Sequence, residues 1–273
     1  MRYEAVYGIG ATNFLGELGG ANQIGTNYFK DIDIAMTKYV LNAGVRYRVN
    51  AWLSVKGSLS YGVVSGDDKF TKEESRNYRN LSFKSSITEL SLQIEPSIIK
   101  EQTGARYRLK GVKGRKTFGI NTYPFIGIAA FYFNPKAKYK GKWYALQPLA
   151  TEGQGQLSTR KKYSRFGVSI PVGIGFKYGY NRRWSVAFEY GIRKTFTDYI
   201  DDVSMTYVDD KFITQGKVAE ALADRSNGTK PQKTAPGQQR GDPRDNDSYM
   251  FAIISLTYKF RMAKINRRSR PKF

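Results

Sequence analysis

The 273-residue chain contains no cysteine and no histidine. The first absence excludes a disulfide framework, a thiol nucleophile and thiolate metal ligands. The second removes the imidazole base, imidazole ligands for zinc and the Ser-His-Asp triad. Acid is scarce as well: 23 Asp and Glu face 45 Lys and Arg, a net charge of +22. No run of about 18 apolar residues occurs, so no stretch reads as a transmembrane helix. The opening Met1-Arg2-Tyr3-Glu4 has no apolar signal core. That start fits a cytoplasmic protein, a mature chain after signal removal, or a start codon placed too far downstream.

What is present in quantity is aromatic and small: 20 Tyr, 16 Phe and 27 Gly in a chain only 40% apolar. An ordinary soluble core does not need so many rings at so low an apolar fraction. The positive balance points to phosphate partners, either nucleic acid or lipid headgroups. Period-two alternation is far clearer than any helical period. Its plainest case sets Leu53, Val55, Gly57, Leu59, Tyr61 and Val63 on one face, with Ser54, Lys56, Ser58, Ser60 and Gly62 on the other. Eight strands are predicted, over 2–13, 34–47, 52–64, 85–99, 118–133, 164–179, 184–197 and 248–260. All exceed the usual globular strand and reach the roughly 9–11 residues that a tilted strand needs to cross a bilayer.

The two faces agree with a membrane setting. Outward sets are Tyr39, Leu41, Ala43, Val45, Tyr47; Phe166, Val168, Ile170, Val172, Ile174, Phe176, Tyr178; and Trp184, Val186, Phe188, Tyr190, Ile192. Their Tyr and Trp residues gather toward strand ends, as in aromatic girdles, and the aromatics are assigned to the lipid side. Inward sets carry Glu4, Glu89, Glu95 and Glu189 with Arg46, Lys56, Lys177, Arg193 and Lys259. An eight-stranded barrel has an interior just wide enough for side chains, so these charges can pair there and plug the lumen. The fold class is therefore all-β: an eight-stranded antiparallel up-and-down transmembrane β-barrel in the outer membrane of a Gram-negative bacterium. Residues 1–260 form the barrel and 261–273 a basic periplasmic tail.

Connections alternate in length. Short turns fall at 48–51 and 180–183; long polar loops fall at 14–33, 65–84, 134–163 and 198–247 and are assigned to the extracellular side. Within the longest loop, 211–225 is compatible with a short helix and 227–245 with a mobile Pro-, Gly- and Gln-rich segment. The periplasmic connection 100–117 is compatible with a hairpin extending beyond the membrane.

This topology apportions the charge. The periplasmic segments 48–51, 100–117, 180–183 and 261–273 together carry +15, whereas the four extracellular loops carry +2. The rim consists of Lys100, Arg106, Arg108, Lys110, Lys113, Arg115, Lys116, Arg182, Arg183, Arg261, Lys264, Arg267, Arg268, Arg270 and Lys272, with Arg48. Separate segments meeting at one rim make a dock for an acidic periplasmic protein surface or for inner-leaflet phosphates. A second basic group, Lys136, Lys138, Lys140, Lys142, Arg160, Lys161 and Lys162, lies in one extracellular loop and suits lipopolysaccharide phosphates.

Catalytic patterns are weak. Asp198, Asp201, Asp202, Asp209 and Asp210 offer hard oxygen ligands for calcium, but without EF-hand spacing, so strand-end capping and loop salt bridges are the expected use. Gly8-Ile9-Gly10-Ala11-Thr12-Asn13 lacks the helix that a phosphate loop requires; its glycines suit close packing in a narrow barrel. Glu89 and Glu95 lie roughly 20 Å apart along one strand, too far to share acid–base work. No enzyme activity, cofactor or metal is expected, and no nucleic-acid partner, because basic residues do not interleave with aromatics on one exposed face.

Four strings carry a resemblance: Gly10-Ala11-Thr12-Asn13-Phe14-Leu15-Gly16-Glu17-Leu18-Gly19-Gly20, Thr197-Asp198-Tyr199-Ile200-Asp201-Asp202-Val203-Ser204, Arg240-Gly241-Asp242-Pro243-Arg244-Asp245-Asn246-Asp247 and Leu256-Thr257-Tyr258-Lys259-Phe260. Together they resemble the PorG family, small outer-membrane barrels of Bacteroidetes, over nearly the whole chain. The resemblance implies a part in the type IX secretion system, which exports proteins across the outer membrane. It implies association with the periplasmic ring of the PorK lipoprotein and PorN, tying that ring to the membrane. The alternative is a passive small barrel that strengthens the envelope or conducts small solutes.

Overall fold

The computed structural model describes residues 2–18, 36–71, 73–99, 120–181 and 183–260. Its strands are β1 (Tyr3–Leu15), β2 (Lys38–Arg48), β3 (Leu53–Asp67), β4 (Ser82–Pro96), β5 (Ile120–Tyr139), β6 (Lys142–Ala145), β7 (Phe166–Gly179), β8 (Trp184–Thr195) and β9 (Ser248–Phe260). Eight of them pair antiparallel with their neighbours, and β4 pairs with β5. β9 returns to β1 over its whole length, from Tyr3↔Phe260 to Leu15↔Ser248, and closes the sheet. β6 stands outside this ring and pairs only with the end of β5. No helix among the described residues is long and apolar enough to cross a membrane.

The alternation read from sequence sets the faces. Ile9, Leu41, Leu59, Leu90, Ile128, Val168 and Ile254 are each about half or more exposed, an arrangement that is costly in water and stable against acyl chains. Rings border this belt at both ends. On the short-turn side Tyr3 packs 5.0 Å from Tyr47 and 6.0 Å from Phe260, and Trp184 packs 4.7 Å from Tyr258. On the other side Tyr132 packs 5.0 Å from Phe166. The short turns share a device. Asn50 Oδ1 accepts from the N–H groups of Trp52 and Leu53, and Asn181 Oδ1 accepts from those of Arg183 and Trp184. Each side-chain oxygen replaces a backbone acceptor where the chain reverses.

Three expectations need correction. Val63, placed on the strand face opposite the inward Lys56, is buried, because β3 rises past the apolar belt into the region where the loops fold. The aromatics are not confined to the lipid side: Tyr123, Phe125, Phe131, Phe133, Tyr249 and Phe251 are buried inside. They fit because the facing lumen positions are glycine; a Cβ on Gly167 would lie 2.7 Å from Phe131 Cζ, and Gly173, Gly175 and Gly191 likewise make room for Phe125 and Tyr123. The segment 227–245 is not a loose tether. Tyr207 and Gly237–Gln238 exchange backbone hydrogen bonds of 2.9 Å, and Arg240 and Gly241 donate to Met205 O.

The larger apolar core lies in the extracellular mouth rather than mid-barrel. Phe14, Phe83, Phe131, Phe133, Tyr249 and Phe251 from the strands join Leu81, Leu146, Ile200, Val203 and Leu222 from the loops. Leu222 comes from α2 (Lys217–Ala223), the short helix expected within the longest loop. A second short helix, α1 (Glu74–Arg79), lies between β3 and β4. The periplasmic connection expected as a hairpin, 100–117, lies outside the described residues.

Candidate functional site

Four places on this frame bear on function: the lumen, the loop cap, a basic extracellular hairpin and the periplasmic rim. In the lumen all nine charged residues assigned inward are buried. Arg46 on β2 sits at the centre. Its Nε donates to Glu95 Oε2 at 2.5 Å, its Nη2 to Glu189 Oε1 and Tyr123 Oη at 2.9 Å each, and its Nη1 to Glu4 Oε2 at 3.3 Å. Lys56 is ion-paired with Glu189 and lies 3.7 Å from Glu95, and Lys177 donates to Glu4 at 3.0 Å. Higher up, Arg193 pairs with Glu89 at 3.4 Å and lies 4.3 Å above the Phe251 ring, while Tyr249 Oη donates to Glu89 at 2.8 Å. Side chains from all eight barrel strands thus fill the bore at successive levels. Buried ions of this kind are tolerable only when each finds partners, and the partners here come from across the barrel.

The cap is held by two buried arginines. Arg240 Nη1 donates to Glu152 Oε1 and to Asp202 O at 2.8 Å each, and Glu152 in turn accepts from the Ser204 and Met205 N–H groups. Arg79 donates to Asp68 at 2.8 and 3.0 Å, to Glu17 O at 3.0 Å and to Arg240 O. These contacts join the loops after β1, β3, β6 and β8. Asp202 accepts from Thr151 and from the Tyr163 hydroxyl at 2.5 Å each. Burial pushes the Asp202 carboxyl up to about 6, with Arg240 opposing the shift. Tyr163 stacks on Tyr199 at 4.5 Å.

Beside these arginines lies a group of carboxylates. Glu17, Asp201 and Asp247 bring one oxygen each to within 4.8 Å of one another, and Asp198 stands against them. Burial, reinforced by Asp198, pushes Glu17 up to about 8; burial, reinforced by Asp201 and Glu152, does the same to Asp198. Asp201 and Asp247 are pushed well above the usual carboxylate range by burial and by the neighbouring acids. The aspartate cluster read from sequence is therefore divided. Asp209 and Asp210 are at the surface, Asp209 pairing with Lys211 at 2.9 Å. Asp202 serves Thr151 and Tyr163, while Asp198 and Asp201 join Glu17 and Asp247. Sequence reasoning missed the last two because they lie far away along the chain.

The extracellular basic group is also divided. Lys136, Lys138, Lys140 and Lys142 are exposed on the β5–β6 hairpin, whose register places Lys84 opposite Lys136 and Lys138 opposite Trp143. They continue the outward face of β5 directly above its apolar stretch. Lys84 Nζ lies 5.8 Å over the Trp143 ring. Lys161 and Lys162 are exposed on the returning segment. Arg160 does not join them; it donates to Glu152 O at 2.8 Å, Thr206 O at 2.7 Å and Thr206 Oγ1 at 2.6 Å, and so staples the cap. Lys84 is an addition that sequence reasoning missed.

Of the periplasmic rim, Arg48 and Arg183 are described. Arg48 reaches Glu4 at 3.3 Å, at the lower mouth of the lumen. Arg183 lies in the β7–β8 turn, and its carbonyl accepts from Lys259 N–H. Lys100, Arg106, Arg108, Lys110, Lys113, Arg115, Lys116, Arg182, Arg261, Lys264, Arg267, Arg268, Arg270 and Lys272 lie outside the described residues.

A closed barrel with an apolar belt, two ring girdles and an ion-filled bore defines a small outer-membrane barrel protein. The family model for the outer membrane protein beta-barrel domain matches residues 5–215, and the chain belongs to this family. Among solved structures it is similar to Ail, the attachment invasion locus protein of Yersinia pestis, crystallised with the heparin analogue sucrose octasulfate; identity is 10%, coverage 95% of this chain and 100% of that one, and the TM-score 0.38. It is similar to the N-terminal β-barrel domain of Pseudomonas aeruginosa OprF, with 9% identity, 95% and 98% coverage and a TM-score of 0.37. Neisserial surface protein A gives 8% identity, 94% and 96% coverage and a TM-score of 0.40. No curated protein matches the chain.

Proposed function

We propose that this barrel is an outer-membrane anchor subunit of the type IX secretion system, docking the periplasmic PorK and PorN ring through its basic periplasmic face and so supporting protein export. The observation that carries the reading is the division of charge. The lumen charges are taken up in internal pairs, whereas the periplasmic segments hold +15. A rigid barrel fixed by its apolar belt presents that charge at one level of the envelope, where an acidic surface is drawn to it and oriented. The resemblance to PorG supports the choice of partner.

The test is direct binding. Purified wild-type barrel in detergent is expected to bind purified PorK–PorN ring with an affinity that falls as salt rises. Reversing Arg106, Arg108, Arg267 and Arg268 to Glu is expected to abolish it; unchanged binding by that variant would overturn the reading. The second reading, a passive envelope barrel, draws on the same filled bore, which favours a structural part over conduction. On the outer side the lysine hairpin is assigned to lipopolysaccharide phosphates, a contact that suits either reading.

A further inference from the structure

The carboxylates of the cap come from three stretches far apart in sequence: Glu17 follows β1, Asp198 and Asp201 follow β8, and Asp247 precedes β9. We propose that Glu17, Asp198, Asp201 and Asp247 form a calcium site that locks the extracellular loops onto the barrel mouth.

The geometry fits one ion. Oxygens bound to a common calcium at 2.3–2.6 Å lie at most about 5 Å apart, and those of Glu17, Asp201 and Asp247 lie within 4.8 Å of one another. The carboxylates are held in place by backbone groups. Asp201 accepts from the Leu18 and Val203 N–H groups at 3.2 and 2.9 Å, Asp247 Oδ2 from Ile200 at 2.8 Å, and Glu17 Oε1 from Asp242 at 2.9 Å.

Independently of that grouping, Asp198 is 6% exposed and neither of its carboxylate oxygens meets full hydrogen-bond geometry with a donor among the described residues, although the Ser204 and Glu17 side chains stand close enough to favour its charged form. Its charge is felt by both Glu17 and Asp247. Glu17 Oε2 and Asp247 Oδ1 are without a hydrogen-bond partner among the described residues too. Buried oxygens without donors are costly, and a bound cation removes that cost for several at once. Among the described residues Arg79 favours the charged forms of Glu17 and Asp201, but its side-chain hydrogen bonds to carboxylates go to Asp68, at 2.8 and 3.0 Å. An all-oxygen set drawn from irregular loops suits calcium. Magnesium demands a tighter octahedron and retains its waters, and zinc prefers nitrogen and sulfur.

The test uses the full chain, folded in detergent, stripped with EDTA and titrated with calcium chloride in a calorimeter. One saturable site per chain is expected, with a dissociation constant of roughly 0.1–1 mM, the range of extracellular modules. Calcium is also expected to slow proteolysis within 198–247. Asp198→Asn, which keeps the side chain's size and removes its negative charge, is expected to weaken binding roughly tenfold or more. Asp209→Asn, at the surface, is expected to leave it unchanged. Folding of each variant is read separately from heat-modifiable gel mobility. Absence of saturable binding by folded wild type, Asp198→Asn binding as tightly as wild type, or equal affinity for magnesium would each overturn the proposal.

Discussion

Arg46 shows how much one side chain can organise. It is almost completely buried, faces three carboxylates and a tyrosine hydroxyl, and reaches them from β2 across the bore. Replacing it with methionine keeps most of the volume and leaves Glu4, Glu95 and Glu189 short of positive charge. Breaking a buried pair in this way costs about 3–5 kcal/mol. Arg46→Met is therefore expected to lower the urea midpoint of the folded barrel in micelles by a matching amount; a midpoint unchanged within error would mean that the network carries no weight. Gly167 makes a second residue-scale point. A methyl there meets the Phe131 ring, so Gly167→Ala is expected to cost about 1–3 kcal/mol by overpacking. Adding Phe131→Leu should recover part of that loss, a coupling that a double-mutant cycle reads directly.

At the scale of elements, the eight long strands were legible because each separates lipid from a polar bore, which enforces period two over a dozen residues. The nine inward charges followed from the same rule. Several features did not. The β6 strand and the extension of β5 to Tyr139 lie above the membrane, where nothing imposes alternation against lipid. The inward rings of β5 were hidden because Phe and Tyr suit both faces; the signal that could have revealed them is the glycine at alternate positions of β7. The cap was least legible, since Glu17, Glu152, Asp198, Arg240 and Asp247 meet only after the barrel has closed. Arg240 joins the loop after β6 to the loop after β8. Arg240→Ala is expected to leave heat-modifiable mobility intact while making 198–247 sensitive to limited proteolysis; continued resistance would place the cap's stability elsewhere. The lysine hairpin makes its own prediction. Changing Lys84, Lys136, Lys138, Lys140 and Lys142 to Gln should reduce binding to lipopolysaccharide micelles and flatten its salt dependence. Equal binding would assign those lysines to solubility alone.

The whole molecule joins a belt for lipid, a filled bore and two rims of different character. A bore occupied by paired charges and rings is expected to give no steady conductance in planar bilayers, and stepwise channel openings would favour the porin-like reading. The cap ties the described loops over the outer rim, and the proposed basic inner rim rests on the charge that the sequence places in the segments assigned to the periplasm. The function proposed above rests on that second rim. Affinity capture of the tagged barrel from native envelopes in mild detergent tests it most directly. The account predicts recovery of PorK and PorN with wild type and their loss when Arg106, Arg108, Arg267 and Arg268 are reversed to Glu. Abundant wild-type barrel recovered without either ring protein would contradict it.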